Sequence, residues 1–286
     1  MSHLSDLSHS IAALAAEVGP RILAVQGADG REFSGFIWRT GLAVTAEEVL
    51  EGEDEVQVLD ASGKVSTAKI VGRDPSTDVA LLKLETATFA DWTEGGPVLP
   101  GSLAVVMGRA EQSSIVRLAA VSAVGPMWKS RRGGSIDARV SLDIRPSRRS
   151  EGGAVLAPDG KLIGMAVTAV GRQAIAIPTS TIARAVAVLS DKGYVPRGWL
   201  GVMLQPLPRG AGAILLSIEN DSPASVAGLL VGDILTTWNG EPLNTPGDVA
   251  NRLGADSVGS KIKLGVSRGG TVSEYEITIA ERPRKE

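Results

Sequence analysis

The chain has no cysteine, so disulfides, thiolate metal sites and a cysteine nucleophile are excluded together. It has two histidines, His3 and His9, both close to the start. Imidazole, the side chain that titrates nearest neutral pH, is therefore scarce. Only 3% of the residues are aromatic, which points to cores built from Val, Ile, Leu and Ala. No excess of positive charge is present: the net charge is -3, a poor footprint for nucleic acid. No apolar run approaches the length of a transmembrane helix. The first residues, Met1-Ser2-His3-Leu4-Ser5-Asp6, lack the basic and apolar regions of a secretory signal. That favours a cytoplasmic location, or a periplasmic one if the sequence has been trimmed at its start.

What is present is a hydrophobic fraction of 43% over 286 residues, enough to bury the cores of two domains or of three small ones. Leu4, Leu7, Ile11, Leu14 and Ala15 recur at helical spacing, which predicts an amphipathic helix over 3–18 that Gly19-Pro20 ends. The period then becomes that of short strands. They are predicted at 21–26, 32–38, 41–46, 55–59, 67–71, 79–84, 103–107, 115–124, 138–144, 154–156, 162–170 and 174–177. Turns at Ala28-Asp29-Gly30, Ser62-Gly63 and Pro158-Asp159-Gly160 separate some of them. Many short strands at near-regular spacing imply antiparallel barrels or sandwiches. A helix is expected from Thr179 to about Leu189, and 191–198 reads as a linker. The pattern then restarts: strands at 199–204, 212–219 and 233–238, a short helix capped by Ser222, a turn at Asn239-Gly240, and a helix from Thr245 through Leu253. A last hairpin is expected around Gly269-Gly270.

The motifs that carry chemistry lie in the first 190 residues. Arg148-Arg149-Ser150-Glu151-Gly152-Gly153-Ala154-Val155 has the form of a nucleophile loop, a polar run and two glycines ahead of a buried strand, but holds a glutamate where a hydroxyl would stand. Further motifs are Gly41-Leu42-Ala43-Val44-Thr45-Ala46-Glu47-Glu48 and Asp74-Pro75-Ser76-Thr77-Asp78-Val79-Ala80-Leu81-Leu82. Gly160-Lys161-Leu162-Ile163-Gly164 and Ala176-Ile177-Pro178 follow, then Trp199-Leu200-Gly201-Val202, Ser222-Pro223-Ala224, Gly232-Asp233-Ile234 and Asn239-Gly240. In this order and spacing the chain resembles the HtrA/Deg family nearly end to end.

The resemblance implies a mainly β fold: a trypsin-like double β-barrel over 1–190 with its N-terminal helix, a linker at 191–198, and a PDZ domain over 199–286. It places Glu48 where the family has its catalytic histidine, Asp78 at the aspartate, and Glu151 at the serine. It also puts Arg149 where a glycine helps to shape the oxyanion pocket. A triad needs a hydroxyl, a base to take its proton and a carboxylate to orient the base. With the base and the hydroxyl both missing, the expectation is a pseudoprotease that works as a peptide- or protein-binding scaffold or chaperone-like module. Two other readings stay open: a residual or unorthodox endopeptidase, and a structural subunit of a larger assembly. Neither a cofactor nor a metal is expected. Three neighbouring carboxylates need compensation. Arg145, Arg148 and Arg149 are the nearest candidates for an arginine network, with a hard-cation site or plain solvation as the rivals. The acidic run Glu47, Glu51, Glu53, Asp54 and Glu55 reads as a solvated loop, or as a docking face for a basic partner.

For the PDZ domain the resemblance implies capture of protein C-termini or extended peptides by strand addition. Leu200, Gly201 and Val202 would offer their amides to the terminal carboxylate, with Leu200 and Val202 lining an apolar pocket. Val249 and Leu253 form its far wall or pack in the core, and Trp199 covers the groove or seals the domain. The resemblance also implies a bacterial trimer.

Overall fold

The computed structural model describes residues 3–27, 29–50, 52, 54–85, 89–93, 95–111, 113–130, 132–208 and 212–283. Ala28 of the first expected turn, Glu51 and Glu53 of the acidic run, and 284–286 at the end of the expected PDZ domain lie outside them. The chain divides into two units, Met1–Ser130 with Ser135–Val195, and Arg131–Gly134 with Pro196–Glu286.

The first unit opens with helix α1, His3–Val18. Only Leu14 and Val18 are buried, both toward the C-terminal end of its apolar stripe. Six strands then close an antiparallel barrel: β1 (Ile22–Gln26), β2 (Glu32–Arg39), β3 (Leu42–Thr45), β4 (Glu55–Leu59), β5 (Val65–Asp74) and β6 (Val79–Lys83). Their order around the barrel is β1-β2-β3-β6-β5-β4. Closure pairs β1 with β4 and leaves no edge strand exposed. Alternation sets the register: along β4, Val56 and Val58 are buried while Glu55 and Gln57 face outward.

The second barrel uses β7 (Leu103–Ala110) and β8 (Ser113–Gly125). After the small ribbon β9 (Trp128–Lys129) and β10 (Ser135–Ile136) come β11 (Arg139–Leu142), β12 (Ala154–Leu156), β13 (Leu162–Ala169) and β14 (Gln173–Pro178). They close in the order β11-β14-β13-β12-β7-β8. The ribbon β9–β10 has no period-2 signature and was not expected from the sequence. One face of β7 packs on β1 and β2, so Val105 and Met107 belong to a core shared with the first barrel. Val106, on the other face, belongs to the interior of the second. Helix α2 (Thr179–Lys192) covers β5 and β6 with Ile182, Val186 and Leu189. It runs beyond the expected Leu189 and into the expected linker. It stops where Gly193, at φ 75, turns its amide back to the Leu189 carbonyl.

The second unit holds a five-strand path, β16-β17-β18-β20-β21, built from β16 (Val202–Pro206), β17 (Ala213–Ile218), β18 (Ile234–Trp238), β20 (Lys261–Arg268) and β21 (Thr271–Thr278). Strand β19 (Glu241–Pro242) pairs with β18, and β15 (Gly198–Trp199) pairs with β22 (Ala280–Glu281). The expected strand 199–204 is thus two strands, split at Leu200-Gly201 because Gly201 sits at φ 74. Helix α3 (Pro223–Val226) is capped by the Ser222 hydroxyl, which accepts from the Ser225 amide. Helix α4 (Pro246–Arg252) ends one residue before the expected Leu253. It begins with a reciprocal cap: the Thr245 hydroxyl accepts from the Asp248 amide, and the Asp248 carboxylate accepts from the Thr245 and Asn244 amides. Trp238, Leu243, Val249 and Leu264 are among the residues of the core beneath it.

The cap at Thr245 yields a direct expectation. Thr245→Ala should cost about 1 kcal/mol of local stability, read as faster hydrogen exchange of the α4 amides at unchanged exchange in the two barrels.

Candidate functional site

Of the expected triad-equivalent residues, Glu48 and Glu151 line one cleft of the first unit, and Asp78 adjoins it through the Glu48 amide. Glu48 sits in a single 3-10 turn, Glu47–Val49, directly after β3. Asp78 ends the turn between β5 and β6. It adopts φ 59, a left-handed conformation that Asp tolerates better than most side chains. Asp78 anchors the turn opposite: its Oδ1 accepts from the Glu48 amide at 2.9 Å, and its backbone carbonyl accepts from the Glu47 amide at 3.3 Å. The aspartate therefore orients backbone rather than an imidazole. His3 and His9 are exposed on α1 and do not line the cleft.

Glu151 is the residue most firmly held. Its Oε1 accepts from the Thr168 amide and its Oε2 from the Thr168 hydroxyl, both at 2.5 Å. Its carbonyl accepts from the Ser34 amide at 2.8 Å, and its own amide donates to the Arg148 carbonyl at 3.1 Å. That last bond closes a 3-10 turn, Arg148–Ser150. Arg149, not being glycine, avoids positive φ, and the loop winds right-handed through it. The amide at 151 is thereby taken up inside the loop. An oxyanion donor has to point at the place where charge develops. Ser150 is buried, and its hydroxyl turns back to the Ser147 carbonyl at 3.1 Å. It offers no nucleophile to the cleft.

The loop is fixed from below by Ser34 on β2, whose hydroxyl donates to the Arg149 carbonyl at 2.5 Å. Gly152 is required here: at φ 80, an added Cβ would stand 2.2 Å from the Ser34 carbonyl oxygen. Neither Thr168 nor Ser34 was singled out from the sequence. Each acts across strands, Thr168 being 17 positions from Glu151 in the chain, and no local spacing signals such a partner.

The expected arginine network is corrected. Among the described residues, no ion pair joins Arg145, Arg148 or Arg149 to Glu48, Asp78 or Glu151. All three arginines are exposed. The physical reason is that Thr168 already supplies two donors to Glu151, and the Glu48 amide supplies one to Asp78. Nor do three carboxylate or imidazole groups among the described residues converge as metal ligands would. In the acidic run, Glu47 lies 3.9 Å from Arg73, while Asp54 and Glu55 are exposed.

Burial pushes the Asp78 carboxyl up to about 8, with the nearby charges of Glu48, Glu151 and Glu47 adding to the rise and the Glu48 amide opposing it. Burial also raises Glu151; Glu48 adds to this, and the two Thr168 bonds pull the other way. The cleft encloses about 420 Å³ and is lined by Arg31, Phe33, Glu48, Arg148, Glu151 and Arg172, among others.

In the second unit, Leu200 and Val249 are buried in the core, whereas Val202 and Leu253 are partly buried against it. Trp199 is partly buried and pairs with Ala280. Among the described residues, strand β16 is an edge of its sheet, paired with β17, and α4 packs beside it. Gly201 lies close under Ser222, where an added Cβ would meet the serine Cβ at 2.1 Å. The Leu200 and Gly201 carbonyls accept from the Ala224 and Glu219 amides, while the amides of Leu200 and Gly201 have no acceptor among the described residues.

Comparison with known proteins agrees with this architecture. Residues 33–165 match the trypsin-like peptidase domain, and residues 198–279 match the PDZ domain. A probable periplasmic serine endoprotease DegP-like of Brucella suis is 31% identical over 87% of this chain and 52% of its own length. The protein of that name from Bartonella henselae is 30% identical over 88% of this chain and 53% of its own. Among solved structures, the HtrA-type protease AlgW with decapeptide superposes with a TM-score of 0.75 at 22% identity, covering 96% of this chain and 99% of that one. The serine endoprotease from Yersinia pestis gives 0.75 at 23%, covering 96% and 98%. Two closed barrels and a PDZ sheet thus define a trypsin-like peptidase fold joined to a peptide-recognition domain. The chain belongs to the HtrA/Deg family. It spans about half the length of the curated relatives it matches. The expectation of a cytoplasmic location is overturned by these relatives, which are named periplasmic. The look of the first residues was a weaker guide than family.

The raised carboxyls predict a pH dependence. An acid whose native pKa lies above its unfolded value binds more protons folded than unfolded between the two, so stability falls as pH rises through that window. For Asp78 the window runs from about 4, the ordinary value, to about 8. Asp78→Asn keeps an acceptor for the Glu48 amide and removes the charge. It should flatten the decline and raise the melting temperature above pH 8, as measured by calorimetry across pH 5 to about 9.

Proposed function

We propose that the chain is a catalytically inactive HtrA-like pseudoprotease that serves as a peptide- or protein-binding scaffold through its PDZ groove. The observation that carries this reading is the state of Glu151. Its carboxylate is bound by Thr168 and its amide by the Arg148 carbonyl, so position 151 offers the cleft neither a hydroxyl nor a free amide. Loss of one triad member alone costs about 10⁴ to 10⁶ in rate. Here Glu48 and Glu151 stand at two triad-equivalent positions, and Asp78 at the third holds backbone in place of an imidazole.

Binding falls to the second unit. The free amides of Leu200 and Gly201 suit a terminal carboxylate, and the open edge of β16 suits an extended segment laid beside α4. Val202 and Leu253 are placed to touch its side chains, with Leu200 and Val249 as the floor and Trp199 at one end. The periplasm is the location that fits the named relatives, and a trimer is the assembly that fits the family.

Two measurements test this. The purified chain should turn over no casein and form no covalent adduct with a fluorophosphonate probe; an adduct on any serine would overturn the reading. A random hexapeptide library with free C-termini should be retained at least about tenfold better than its C-terminally amidated counterpart. Equal retention would remove the PDZ groove from the proposal.

A further inference from the structure

The cleft of the first unit contains cations that its own architecture does not use. Arg148 stands on the loop ahead of Glu151, and Arg172 in the turn between β13 and β14; both line the cleft. Neither side chain makes an ion pair or a hydrogen bond with a described residue. Arg31, the third arginine of the lining, is occupied by Asp29 at 2.6 Å. Glu151 forms no ion pair with Arg148 or Arg172 among the described residues; its oxygens are turned to Thr168. Two unengaged guanidinium groups therefore border a cleft of about 420 Å³ whose apolar surface comes from Phe33, Val49 and Pro146.

From this we infer that the cleft captures the side-chain carboxylate of a glutamate in an extended polypeptide, a second binding site apart from the PDZ groove. The guanidinium fork matches a carboxylate with two parallel N–H···O bonds. The apolar walls suit the stem of that side chain and its neighbours. Polyanions fit less well. The lining carries three carboxylates, Asp29, Glu48 and Glu151, beside its three arginines, so there is no broad positive field of the kind that binds phosphate chains. Glu48 is exposed at the mouth and disfavours a second negative charge. This inference rests on the reading that the cleft does not hydrolyse what it holds.

The test uses the full chain and a fluorescein-labelled decapeptide with one central glutamate between valines, amidated at its C-terminus so that it offers the PDZ groove no carboxylate. Fluorescence anisotropy should show it binding at least about tenfold more tightly than the glutamine version. Arg148→Ala and Arg172→Ala should each remove about tenfold of the glutamate peptide's affinity and leave the glutamine peptide unchanged. Arg172→Lys should restore part of that loss. Equal affinity for the two peptides, absence of binding, or indifference to both arginine substitutions would overturn the inference. So would tighter binding of a phosphoserine decapeptide or of anionic phospholipid vesicles. Mass spectrometry of the recovered peptide separates the two readings: cleavage would sink the pseudoprotease proposal, whereas an intact peptide that fails to bind would sink this one alone.

Discussion

One interaction organises the cleft: the carboxylate of Glu151 seated on the amide and hydroxyl of Thr168. A buried carboxylate without donors is costly, and here the donors come from the neighbouring strand of the same barrel. The bond ties the loop 148–153 to β13. Around it, Ser34 fixes the carbonyls of Arg149 and Glu151, and Gly152 fills a space that admits no side chain. The region where family relatives are expected to be chemically active is therefore internally satisfied.

The same principle recurs at Asp78, which holds the Glu47–Glu48 turn through one carboxylate oxygen and one carbonyl. Asp78 and Glu151 each feel the charge of Glu48, and both are hydrogen-bonded to backbone or hydroxyl donors. Burial, with the nearby negative charge of Glu48, then favours the protonated forms of Asp78 and Glu151. A cleft stabilised in this way does not need arginine partners, and Arg148 and Arg172 stay available at its rim.

Much of the fold could be read from the chain. The strand pattern follows from alternation, as in Glu55-Val56-Gln57-Val58, and the helices from capping residues such as Ser222 and Thr245. The ribbon β9–β10 was not legible, since two-residue strands carry no period. The extension of α2 to Lys192 was missed because Asp191, Lys192 and Gly193 have the composition of a linker, although only Gly193 breaks the helix. The split at Leu200-Gly201 depends on a positive φ that is visible only once Ser222 lies beneath it.

The sequence alone determined the inventory: imidazole confined to His3 and His9, acids at Glu48, Asp78 and Glu151, and a glycine-bounded loop in a double-barrel pattern. Inventory depends on identity and order, which the chain states outright. Tertiary structure decided how that inventory is satisfied. Thr168 rather than an arginine meets Glu151, the 151 amide turns inward, and β16 becomes an edge. Those outcomes depend on which strands the closing barrels and the PDZ sheet place side by side, and strand adjacency is a property of three dimensions that no local spacing encodes.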